Sequence, residues 1–314
     1  MRNFGEMLYQ AKKRGPVTVS VAAAEDDDVL IAVAHAIKSG IAGAILVGDR
    51  DKINPLLEQL KFPITPEIMH EPDPVRAAQT AVDVVRAGDA QILMKGLVNS
   101  GDFMRAVLHH SRGLRSEYRL SHLAAFEVPR ESRIAFMTDA GINIAPDLQG
   151  KKEILMNAIM AIRNMGFQVP NVAVISANEK VSDKMQSTVD AQNLVHMNRN
   201  GAFPPAIVEG PIAFDVAVSQ EAAHHKGIES SISGKTDLFL MPNIETANVA
   251  YKMLTYWARA KTACLVLGAT HPIVMTSRSD SAEAKLYSIA MAAATFAGAD
   301  SASIKEPARI GKAV

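Results

Sequence analysis

The chain has 314 residues, 48% hydrophobic and 21% charged, with 33 basic and 33 acidic side chains. That length suits two moderate domains better than one core, and zero formal charge argues against a nucleic-acid binder, so any positive site must be local. The single cysteine, Cys264, excludes an internal disulfide, the first residues lack the apolar core of a signal peptide, and no apolar run is long enough to span a bilayer; a cytoplasmic protein without nucleic-acid or membrane partners is expected. In chain order, the continuous β-branched run 17–22 reads as a strand buried on both faces. Acids at 25–28 open a helix through Ile37, suiting the positive end of its dipole. A strand at 44–48, a helix near 52–60, a helix over 74–87 and a strand at 91–96 follow.

The rhythm then changes. Residues 121–128 and 133–138 read as a strand pair separated by Pro129-Arg130-Glu131-Ser132. Alternation resumes with a helix over 151–165, a strand at 172–176, a helix over 183–195, strands at 205–209 and 237–241, a helix over 246–260, a strand at 263–268 and a last helix over 281–297. Strands alternating with helices predict an α/β fold with largely parallel sheets. A discontinuous first domain, residues 1–125 with 270–314, and a second domain, 126–269, inserted into it would place a cleft between them.

The densest chemistry lies in Thr276-Ser277-Arg278-Ser279-Asp280-Ser281-Ala282-Glu283, at a strand-to-helix turn. Exposed N–H groups and the dipole of a helix start favour phosphate, and a guanidinium adds a planar fork that fits its oxygens. Asp280 and Glu283 have capping-box spacing; capping does not account for Ser277 and Arg278. A second cluster, Lys95-Gly96-Leu97-Val98-Asn99-Ser100, leaves the carboxyl end of a strand, where doubly wound sheets bind ligands. Gly96 permits close backbone approach, Asn99 or Ser100 can cap the next helix, and Arg105 lies one to two turns into it as an anion contact. In a third, Asn243 can cap a helix with Glu245 in its first turn, while Asn248 and Lys252 share one face. Val208-Glu209-Gly210-Pro211 ends a strand, with Asp215 beyond; a tight turn explains its Gly and Pro. Neither a Walker loop nor a Gly-x-Gly-x-x-Gly fingerprint is present. The pairs His109-His110 and His224-His225 lack zinc-site spacing, so no metal is expected, and Cys264 reads as a buried strand thiol.

These four segments, in this order, resemble the phosphate acetyl/butyryltransferase family over nearly the full chain, closest to its butyryl branch. The resemblance rests on Leu93-Met94-Lys95-Gly96 with Arg105, Glu209-Gly210-Pro211 with Asp215, Pro242-Asn243-Ile244-Glu245 with Asn248 and Tyr251-Lys252, and Thr276 to Asp280. It implies two α/β domains about a cleft, a homodimer, and transfer of an acyl group from coenzyme A to inorganic phosphate by direct attack, with no tightly bound cofactor. Ser277, Arg278 and Arg105 would act on phosphate and thioester. Lys95, Gly96, Asn99, Ser100, Asn243, Glu245, Asn248, Lys252 and Thr276 would bind substrate. Acetyl members carry a carboxylate two turns into the last helix as the proposed base; that position is Ala284 here, leaving Glu283, Asp280 or no dedicated base. Butyryl or branched acyl groups are expected over acetyl. The competing readings are an acetyltransferase, a metal- and nicotinamide-dependent decarboxylating dehydrogenase, for which the last helix offers only Glu283, and a non-catalytic coenzyme A binder.

Overall fold

The computed structural model describes residues 1–129 and 133–296. Residues 130–132 of the expected loop, the expected helix end Ala297 and the rest of 297–314 lie outside them. The elements are α1 (Phe4–Arg14), β1 (Val17–Ala22), α2 (Asp27–Lys38), β2 (Ala42–Gly48), α3 (Arg50–Gln59), β3 (Glu67–His70), α4 (Pro74–Ala87), β4 (Ile92–Lys95) and α5 (Ser100–Val107). Then come β5 (Ser121–Glu127), β6 (Ala135–Thr138), α6 (Leu148–Asn164), β7 (Asn171–Ile175), α7 (Gln186–Arg199), β8 (Ile207–Ile212), α8 (Phe214–Val218), α9 (Gln220–His225) and β9 (Leu238–Leu240). The described chain closes with α10 (Ile244–Lys252), a π-helical turn (Met253–Trp257), β10 (Lys261–Leu267), β11 (Ile273–Val274) and α11 (Ala282–Thr295).

All eleven strands form one sheet in the order β3-β2-β1-β4-β11-β10-β5-β6-β9-β7-β8. The outer blocks are parallel, as the alternation predicts, while β11–β10, β10–β5 and β5–β6 are antiparallel. Three reversals in the middle make the two parallel blocks run in opposite senses. Both blocks are buried: Val19, Val21, Leu46 and Ile92 in one, Val172, Leu238 and Leu240 in the other, carry almost no accessible surface. This is the burial on both faces that continuous apolar strands require.

The C-terminal segment returns to the N-terminal block. Strand β11 pairs parallel with β4, Val274 opposite Met94, and β4 pairs with β1, Lys95 opposite Ala22. The carboxyl ends of β1, β4 and β11 therefore stand side by side, each followed by a helix start. Helix α2 is capped by Asp26 and α5 by Asn99. The cap of α11 is Ser281, whose side chain accepts from the Ala284 N–H. This corrects the expected Asp280–Glu283 capping box: Asp280 turns back and its Oδ2 accepts the Ser277 N–H at 2.8 Å.

Other departures have local causes. Helix α1 is capped by Asn3 and buries Phe4, Met7 and Ala11 on one stripe. The edge strand β3 was unforeseen because its side chains are mostly exposed and carry no apolar pattern. The helix expected over 246–260 begins earlier, at the Asn243 cap, and loosens into the π-helical turn after Lys252. At about 1.5 Å per residue, this element carries the chain back from the end of β9 toward the Ser277 turn.

Candidate active site

At the shared carboxyl ends, Lys95 is only 5% exposed. Its ammonium makes one long contact, 3.4 Å to the Gly96 carbonyl, and among the described residues no carboxylate forms an ion pair with it. Burial lowers its pKa and the nearby Arg278 charge lowers it further; Asp26 pulls the other way, and Lys285 adds the smallest push downward. A buried ammonium beside two other cations, with no carboxylate in ion-pair contact, is a place where an arriving anion relieves both desolvation and repulsion. Gly96 is required here: a Cβ would overlap the carbonyl oxygens of Ala22 and Ala23. Its N–H donates to the Ala22 carbonyl at 2.9 Å and that of Leu97 to Ala23 at 2.7 Å, welding the Lys95 loop to β1.

The Thr276–Asp280 turn emerges next to this loop. Thr276 and Asp280 are buried, while Ser277, Arg278 and Ser279 face solvent. Three bonds hold the turn: Asp280 on the Ser277 N–H, the Asp280 N–H on the Ser277 carbonyl at 3.1 Å, and the buried Lys285 ammonium on the Asp280 carbonyl. Ser277 Oγ lies 3.1 Å from Ser279 Oγ, which accepts from the Tyr256 hydroxyl at 2.7 Å. Tyr256 belongs to the π-helical turn, so the second block reaches the Ser277 turn of the first. Lys252 sits nearby, its ammonium 5.5 Å from the ring centres of both Tyr251 and Tyr256. Asn248, one turn earlier, donates to the Ala140 carbonyl at 3.1 Å. The sequence clusters around Lys95, Lys252 and Arg278 thus come near one another around the Ser277 turn.

Other expected residues stand differently. The Arg105 guanidinium is exposed and pairs with Asp102 on its own helix at 2.5 Å. Asn99 accepts from Gly101 as the α5 cap, beside Ser100. Asn243 accepts from the Thr246 N–H and hydroxyl, and Glu245 faces solvent. Glu283 accepts from the Tyr287 hydroxyl at 2.8 Å and lies 3.9 Å from Lys261. Glu209 braces the Ser230–Ser231 loop, with bonds of 2.6 Å to each hydroxyl. Burial pushes the Cys264 thiol up to about 12, leaving it protonated and inert. Among the described residues no group of three or more His, Cys, Asp or Glu is placed to hold a metal.

Sequence reasoning missed His122, Asp139 and Lys285. His122 is buried on β5 and senses Asp139, Asp280 and Lys252. Asp139, at the end of β6, accepts from the N–H groups of Gly141, Ile142 and Asn143 and from the Asn143 amide. The available signal was a histidine and an acid at the ends of apolar strands. A cavity of about 1120 Å³ lies on the opposite flank of α10, lined by Thr246 and Ala250 of that helix and Met253 of the π-helical turn. Its wall holds the buried Lys151–Asp190 ion pair at 2.5 Å.

An α/β enzyme is defined by this arrangement, with basic side chains gathered at adjacent strand ends and a helix from the other block leaning over them. Comparison gives the class its family: the model described as phosphate acetyl/butaryl transferase matches residues 56–293, and the chain belongs to that family. It is 44% identical over 294 residues to the phosphate butyryltransferase of Clostridium acetobutylicum, covering 93% of this chain and 98% of that protein. It is 38% identical over 291 residues to the phosphate acetyltransferase of Thermotoga maritima, covering 92% and 99%. The crystal structure of a branched-chain phosphotransacylase from Enterococcus faecalis V583 superposes with a TM-score of 0.80 at 32% identity, covering 89% of this chain and 98% of that one.

Proposed function

We propose that this enzyme transfers a butyryl or branched short acyl group from coenzyme A to inorganic phosphate, giving acyl phosphate and free coenzyme A by direct attack in a ternary complex. The observation that carries the reading is the buried Lys95 ammonium, unpaired by any described carboxylate and facing the Ser277–Arg278 turn across adjacent strand ends. Phosphate is doubly charged near neutral pH, and the helix starts after β1, β4 and β11 add their positive ends to Lys95 and Arg278. Holding phosphate and thioester in one geometry supplies roughly 7–11 kcal/mol of the barrier. As the phosphate oxygen attacks, charge gathers on the carbonyl oxygen and then on sulfur. Donors at Ser277, Arg278 and Lys252 oppose that charge, each worth about 3 kcal/mol when preorganised. Arg105 joins the anion once its exposed pairing with Asp102 gives way; such surface pairs are worth only about 0–1 kcal/mol. Gly96, Asn99, Ser100 and Thr276 shape the phosphate side, and Asn243, Glu245 and Asn248 the coenzyme A side.

The working assembly is a cytoplasmic homodimer of two-lobed subunits. The return of β11 to pair with β4 supports residues 1–125 with 270–314 as one lobe and 126–269 as the other. The exposed apolar side chains Val249, Met253, Tyr256 and Trp257 support a subunit contact through the second lobe. The test is phosphate-dependent thiol release from a panel of acyl-CoAs of about two to six carbons. Turnover is expected to peak at butyryl or a branched acyl group and to fall at least tenfold in Arg278→Ala; full activity of that variant overturns the assignment.

A further inference from the structure

Two polar atoms near the Ser277 turn are sealed from solvent without any hydrogen-bond partner: Nδ1 of His122 and Oδ1 of Asp280. Both residues are nearly fully buried, at 7% and 5% exposure. Each orphan carries the desolvation cost of an unpaired group, and unsatisfied polar groups in an otherwise bonded interior call for a functional reason. The imidazole is tightly housed. Tyr251 of α10 meets it edge-on, with ring centres 6.3 Å apart, and a Cβ on Gly141 would come within 3.2 Å of its Cδ2. The charges acting on it are Asp139 from the loop after β6, Asp280 from the Ser277 turn and Lys252 from α10; from β10, the Cys264 thiol is bonded to Tyr251 at 3.3 Å. The Asp139 carboxylate is saturated by four donors. Asp280 is the one with a free oxygen, and its other oxygen already fixes the Ser277 N–H. Burial holds the imidazole below its ordinary pKa, so near neutral pH it is uncharged and can both give and take a proton.

Resting on the reaction proposed above, we infer that His122 carries the proton of acyl transfer, with Asp280 as the carboxylate that stabilises it. The reaction consumes a hydrogen phosphate dianion and releases a neutral thiol. A phosphate oxygen bonds to the carbonyl carbon, the carbon–sulfur bond breaks, and its electron pair stays on sulfur. The proton lost by phosphate must reach that sulfur. A neutral imidazole does this by first accepting the phosphate proton, becoming an imidazolium that the Asp280 carboxylate stabilises, and then giving a proton to the departing sulfur, with no net change in the enzyme. Ala284, in the first turn of α11, carries no carboxylate, and the neighbouring Glu283 is occupied by Tyr287.

The test compares butyryl-CoA with the butyryl thioester of p-nitrothiophenol, whose thiolate departs without needing a proton. In His122→Gln, kcat with butyryl-CoA is expected to fall about 100-fold, while KM for phosphate stays within about twofold and the aryl thioester loses less than about threefold. Equal loss on both substrates would make His122 a packing residue, and no loss on either would leave it without a role; both results overturn the inference. If the variant does not fold, the wild-type pH profile decides. A single ionisation on the acid limb of kcat with butyryl-CoA, absent with the aryl thioester, supports the inference, and identical profiles overturn it. Wild-type enzyme without phosphate-dependent thiol release would instead sink the reaction itself.

Discussion

Gly96→Ala isolates the placement of the Lys95 loop from its charge. The added methyl carbon would lie 2.7 Å from the Ala22 carbonyl oxygen and closer still to that of Ala23. Both are backbone atoms of the adjacent strand segment, so neither can swing aside as a side chain would. Relief requires the loop to lift, breaking the bonds from Gly96 to Ala22 and from Leu97 to Ala23. Two hydrogen bonds at about 1 kcal/mol each give roughly 2 kcal/mol of lost stability, or a Tm lower by about 4–8 °C. The functional cost is larger, because a displacement of about 1 Å in a positioning group costs on the order of 100-fold in rate. Thermal unfolding by circular dichroism and thiol release at varied phosphate would measure both. A variant with wild-type Tm and wild-type kcat/KM for phosphate would refute the claim that β1 clamps this loop.

Lys95→Met removes a charge that the fold holds at a cost. The folded pKa lies below the unfolded one, so the unfolded chain binds more protons between the two values, and stability rises with pH across that window. The variant should lack this rise and melt at least about 2 °C higher at neutral pH, while KM for phosphate increases about tenfold or more, as for a lost charged hydrogen bond; a lower Tm with unchanged KM would contradict the site. Tyr256→Phe deletes the bond to Ser279, worth about 0.5–1.5 kcal/mol, so kcat/KM in the thiol assay should drop about two- to tenfold with Tm little changed. Asp190→Ala strands the buried Lys151 ammonium and should cost about 3–5 kcal/mol in urea unfolding. Because that pair flanks the far side of α10, the folded fraction should keep its KM for phosphate.

Much of this was legible in the chain because the relevant signals are local. A continuous β-branched run gave β1, an apolar run marked β4, and the Asn243 cap followed from its place after β9. Lys95 and Arg278 stood out because each follows an apolar strand and precedes a helix start. The neighbours of those residues were not legible. That the turn after β11 lies beside the loop after β4 depends on a two-residue strand returning across most of the chain, which leaves no periodic trace. The role of Asp280 hid behind a plausible capping box, since a carboxylate there can turn toward either side. His122 sits in an apolar run where a histidine reads as filler, and its lack of a partner exists only once Asp139, Tyr251 and Asp280 have been folded around it.

The central claim is that one inorganic phosphate sits between Lys95 and the Ser277–Arg278 turn. A crystal structure of the protein with phosphate, compared with that of Lys95→Met, measures this directly. The account predicts an anion within hydrogen-bond reach of the Lys95 ammonium and of the turn at Arg278, and no anion there in the variant. Phosphate bound elsewhere, or bound equally well without the ammonium, would contradict it.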